Sequence, residues 1–110
     1  MTVDALNEKA MEMIVCAGAG RTALNIALDA LCEGNTEKYD QMMAEAKAKM
    51  KEAHAAQTEV LQETITAPEF YPNILFTHAQ DTLMTVMSEL NTAKHIARLY
   101  TKVLELSNEK

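Results

Sequence analysis

Leu6, Ala10, Met13, Ala17, Gly20, Leu24, Ala27 and Leu31 recur with alternating steps of four and three. That spacing marks an amphipathic helix with a coiled-coil-like seam, and it predicts a first helix over residues 4–32. Such a seam must be covered by other helices. Gly18 and Gly20 each cost about 1 kcal/mol relative to Ala inside a helix, so another backbone or a ligand is expected to come close there.

Glu33-Gly34-Asn35 punctuates the chain next, Gly for a left-handed helix end and Asn35 as an N-cap. So short a connection makes the second helix, residues 36–63, antiparallel to the first. Its predicted buried stripe is Tyr39, Met43, Ala46, Met50, Ala53, Gln57 and Val60. From Thr64 to Pro72 the pattern lapses, and two prolines within five residues break the helix. This segment is read as the longer loop and the one freest to move. Pro72 suits the first turn of a third helix, residues 72–107. That helix has one apolar seam through Leu83, Val86, Leu90, Ala93, Ala97, Tyr100 and Leu104, and a second beside it through Met87, Ile96, Leu99, Val103 and Leu106. Two neighbours in a small bundle cannot hide so wide an arc, which points to self-association. The expectation is an all-α, antiparallel three-helix bundle forming one domain over residues 1–110.

Composition narrows the function. The net charge of −6 argues against nucleic acid as a partner, because a phosphate-backbone binder needs a concentrated basic surface. Cys16 and Cys32, on one helix, stand about 24 Å apart, too far for a disulfide, so both are expected as free thiols in a reducing compartment. No apolar run of about 18 residues and no signal-like leader stand out. The expected address is the cytoplasm.

The chemistry centres on Phe76 to Thr85. On a helix His78 shares a face with Asp81, Thr82 and Thr85. A neutral imidazole near a helix start is a nucleophile whose surroundings favour an incoming phosphoryl anion. A lone histidine among apolar residues is more often structural, as are His54 and Gln57 three residues apart. No histidine has Glu three residues before it, which sets aside a di-iron carboxylate bundle. No Gly-rich nucleotide loop is present, so no nucleotide cofactor is expected and the phosphoryl donor should be a protein.

The run His78-Ala79-Gln80-Asp81-Thr82-Leu83-Met84-Thr85 resembles the active-site signature of the lactose/cellobiose-specific enzyme IIA family of the bacterial sugar phosphotransferase system. Glu52-Ala53-His54 with Gln57-Thr58, and Ala17-Gly18 with Arg21-Thr22, are similar to two further family segments, in the same order. The resemblance implies a cytoplasmic homotrimer whose His78 accepts a phosphoryl group from the carrier HPr and passes it to a cysteine of the sugar-specific IIB component. Contact with the membrane would be indirect, through the permease. It also implies that Gln80, Thr82, Arg21 and His54 line the phosphoryl site, and that three copies of Asp81 hold a metal ion on the threefold axis. Oxygen ligands suit Mg²⁺ or Ca²⁺. The family usually carries a second histidine where this chain has Thr82, which a hydroxyl replaces as a donor but not as a titrating group. Two other readings differ in kind: a histidine phosphotransfer domain of two-component signalling, and a non-catalytic helical scaffold with structural histidines.

Overall fold

A computed structural model describes residues 1–67 and 73–109. Three helices are present: α1, Val3–Cys32; α2, Thr36–Thr66; and α3, Ile74–Asn108. No strand occurs among the described residues. The molecule is a rod of 65 × 18 × 18 Å, as three helices of 30, 31 and 35 residues laid side by side at 1.5 Å per residue require.

The helix ends follow from their capping residues. Thr2 caps α1 by accepting from the Ala5 N–H at 3.1 Å, and Asn35 caps α2 by accepting from the Lys38 N–H at 3.1 Å. Gly34 takes φ +80 between them, a conformation that costs glycine nothing and an L side chain about 1 kcal/mol or more. Helix α2 continues to Thr66, past the point where its apolar pattern lapses. The hydroxyls of Thr64 and Thr66 donate to the carbonyls of Leu61 and Glu63 and satisfy acceptors in the last turn. Helix α3 begins at Ile74 with Asn73 as its cap. The expected placement of Pro72 in the first turn, and the loop over Pro68 to Pro72, lie outside the described residues.

Helix α1 is the shared wall: it packs against both α2 and α3, whereas α2 and α3 barely touch. All eight of its seam residues are buried, joined by Ala23 and Ala30. The two added alanines widen the apolar face so that it serves two neighbours. Gly20 lies where α2 presses closest. A Cβ added there would stand 2.8 Å from Met50 Sδ and 3.4 Å from the Ala46 carbonyl. At Gly18 nothing within the chain lies within 4 Å of the place its Cβ would take.

In α2 the buried set is Met43, Ala46, Met50, Ala53, Ala56 and Val60. Tyr39 and Gln57 are half-buried, and Ala56 takes the inward position that the stripe assigned to Gln57. In α3 the first seam is buried through Ala97, with Phe76 and Ala79 added, but Leu104 is exposed. The second seam stays in solvent: Leu99 is 66% exposed and Val103 61%.

By length and composition α1 can cross a bilayer, with an 18-residue window of mean hydropathy 1.3. Glu12, Arg21, Thr22 and Asn25 interrupt the apolar residues of this helix, so it contains no unbroken apolar run. Of that window 39% is buried, against the other two helices.

Candidate functional site

The local sequence explains how His78 is placed. Asn73 accepts from the Phe76 N–H through Oδ1 at 2.9 Å, and its Nδ2 donates to Asn7 Oδ1 on α1 at 2.7 Å. One side chain thus caps α3 and ties its start to α1. Phe76, Ala79 and Leu83 then turn into the core, which leaves His78 on the outer side of the second turn, exposed. Its imidazole has no hydrogen-bond or ionic partner among the described residues.

Asp81 and Thr85 follow on the same outer face, both exposed. The Asp81 carboxylate has no ion pair among the described residues, so it orients nothing within this chain. Thr82 is half-buried, and its hydroxyl donates to the His78 carbonyl at 3.0 Å. This is the usual back-bond of a helical threonine to the residue four before it. The hydroxyl proton therefore points along the helix, and the oxygen retains lone pairs but no free donor. Gln80, two residues from His78, falls on the opposite side of the helix at the edge of the core.

Two other residues are held apart from His78 within the chain. Arg21 forms a two-pronged ion pair with Glu89, Nε to Oε1 at 2.8 Å and Nη2 to Oε2 at 3.1 Å. Glu89 is eleven residues along α3 from His78, about 16 Å of rise. The pairing joins residues 68 apart in sequence, and no local pattern announces it. His54 is exposed on α2 in a groove beside Met87 and Leu90, nine or more residues beyond His78 along α3. Neither residue lines a site around His78 in a single chain.

Cys16 and Cys32 are free thiols. Cys16 is half-buried and donates to Glu52 Oε2 at 3.5 Å. Burial first, and then that carboxylate, push its thiol above the ordinary range. It is a poor nucleophile at neutral pH. Among the described residues no group of three His, Cys, Asp or Glu side chains is gathered to hold a metal ion. An ion at Asp81 would need ligands from other copies of the chain.

The chain is thus a three-helix rod with an exposed histidine early in its last helix, without an intrachain partner among the described residues. The model of the lactose/cellobiose-specific IIA subunit of the sugar phosphotransferase system matches residues 8–101, and the chain belongs to that family. It is 32% identical over 97 residues to the lactose-specific EIIA component of Lacticaseibacillus casei, covering 88% of this chain and 87% of that protein. It is 31% identical over 94 residues to the lichenan-specific enzyme IIA component of Bacillus subtilis, covering 86% of each. Among solved structures it is similar to PtcA from S. mutans, with a TM-score of 0.86 and 36% identity over 92% of this chain and 99% of that one. The cellobiose-specific enzyme IIA of Bacillus anthracis superposes with a TM-score of 0.85 at 28% identity, covering 96% and 94%. The role that follows is phosphotransfer within the sugar phosphotransferase system.

Proposed function

We propose that His78 is the phosphoryl acceptor, that the donor is phosphorylated HPr, and that the group then passes to a cysteine of the sugar-specific IIB component. The observation that carries this reading is the exposed imidazole of His78, free of intrachain partners among the described residues. A ring reached in turn by two proteins has to be open and uncommitted. In the first step a ring nitrogen attacks phosphorus as the bond to the donor breaks. In the second, a thiolate sulfur attacks and the nitrogen is released. Three oxygens of the bound phosphoryl group need donors. Within the chain Thr82 is turned away, so docking proteins or neighbouring copies supply them.

The active form in this reading is a cytoplasmic homotrimer with Asp81 facing its axis. Ile74, Leu99, Val103 and Leu106 are exposed and lie within about 40° of Asp81 around α3, at 100° per residue. Burying them against other copies removes an unusually long apolar strip from water. Three carboxylates brought together there repel one another unless protonated or bridged by a cation. Asp81 fits such an ion, being an exposed hard oxygen donor with no competing ion pair among the described residues, and Mg²⁺ would supply the neutralising charge. The role of Arg21 at the phosphoryl site would require it to leave Glu89 or to act on the His78 of another copy, and His54 would likewise act across a subunit boundary. Gln80, on the opposite side of α3 from His78, would also have to act on another copy.

Incubation with labelled phospho-HPr tests the assignment. Label is expected on the wild type and on His54→Ala, and none on His78→Ala. Label retained by His78→Ala would overturn the assignment, and a wild type that takes no label at all would favour a scaffold role.

A further inference from the structure

Between α2 and α3, which barely touch, runs a groove of about 550 Å³. Its floor is apolar, made by Met50, Met87 and Leu90, and its rim carries Lys47, Lys51 and Lys94. The chain has 16 Asp and Glu against 10 Lys and Arg, yet no carboxylate lines this groove. None of the three lysines forms an ion pair among the described residues, although Lys9, Lys49, Lys102 and Arg21 all do. Lys47 and Lys51 stand one turn apart on α2, where like charges repel, and Lys94 faces them from α3. Unpaired cations around an apolar floor are an arrangement that an anion with an apolar body would relieve at both ends.

We propose that this groove binds a monomeric organic anion, with a carboxylate or phosphate head held by Lys47, Lys51 and Lys94 and an unbranched apolar body on Met50, Met87 and Leu90. The volume falls in the range of small-molecule sites. A free anion fits better than an anionic bilayer, because the rest of the surface gives the chain a net charge of −6 and would be repelled by it. Met87, Leu90 and Lys94 lie about 120–180° around α3 from Asp81, so the groove does not face an axis through Asp81. The ligand site lies apart from His78 of the same chain, shares His54 on its lining with the phosphotransfer reading, and goes beyond that reading.

Calorimetric titration of the full chain with sodium laurate below its micelle concentration tests the site. The wild type should saturate at one laurate per chain. The triple variant Lys47→Gln/Lys51→Gln/Lys94→Gln should bind about tenfold or more weakly, as the loss of three partly screened attractions implies. Ala55→Trp, which fills the groove and keeps its charges, should also lose binding, whereas Lys102→Gln should not. Uncharged dodecyl maltoside should not compete. Equal binding by the maltoside, an unchanged triple variant, stronger capture on phosphatidylglycerol vesicles, or a laurate-dependent change in subunit number would each overturn the proposal. Phosphorylation of His78 should be unchanged in the triple variant, so failure here is distinguishable from failure of the phosphotransfer assignment.

Discussion

The hydroxyl of Thr82 donates to the main-chain carbonyl of His78 at 3.0 Å. The two residues proposed to work together are thus joined through the backbone, not through the ring. Thr82→Val removes the hydroxyl and keeps the branched shape. Because the back-bond commits its proton to the helix, initial phosphorylation by phospho-HPr should change by less than about threefold. Rapid-quench measurement of labelled protein checks this, and a loss of two orders of magnitude would mean that the hydroxyl turns to the phosphate in the docked complex.

Asn73 acts at both ends of its amide, on Phe76 and on Asn7. Asn73→Ala loses an N-cap, worth about 1 kcal/mol, and leaves Asn7 without its partner. Urea unfolding should show a loss of about 1–2 kcal/mol. Asn73→Asp should keep the cap, with the bond to Asn7 kept only if the Asn7 amide turns to donate its N–H.

The two glycines of α1 should respond differently. Gly18→Ala meets open space within the chain and should stabilise the helix by about 0.5–1 kcal/mol. Gly20→Ala gains the same propensity but must move the buried Met50 side chain away from the new methyl, so its net effect should be smaller or reversed. Thermal unfolding of both variants measures the difference. If Gly18→Ala also destabilises, another copy of the chain closes on that position.

Cys16 sets a pH dependence. Its thiol is held above its ordinary value of 9.0 by burial and by Glu52, so the folded chain retains this proton where the unfolded chain gives it up. The stabilisation is complete below the unfolded thiol range and fades as pH rises through the folded value. Unfolding free energy should therefore fall above about pH 9, and Cys16→Ala should flatten that decline. At pH 8 iodoacetamide should label the exposed Cys32 well before Cys16.

Asp81→Asn removes the charges proposed to meet on the axis. Chelator should lower the melting temperature of the wild type and leave the variant unchanged, with sedimentation following subunit number in both. A wild type insensitive to chelator would mean that protonation or hydrogen bonding, not a cation, relieves the repulsion.

The sequence determined the helical architecture and carries the motif on which the proposed chemical centre rests. The four-and-three spacing from Leu6 to Leu31 exposes the α1 seam directly, since helix periodicity is a local property. The octet from His78 to Thr85 carries the family resemblance without any knowledge of contacts. Tertiary structure alone decided the rest. It paired Arg21 with Glu89 across 68 residues and left Arg21 and His54 away from His78 within one chain. It also opened the α2/α3 groove and put Ala56, not Gln57, in the core. These outcomes depend on how far each helix is rotated about its own axis and on which two helices pack least closely. A period fixes which residues share a face, but only packing against a particular neighbour fixes where that face points.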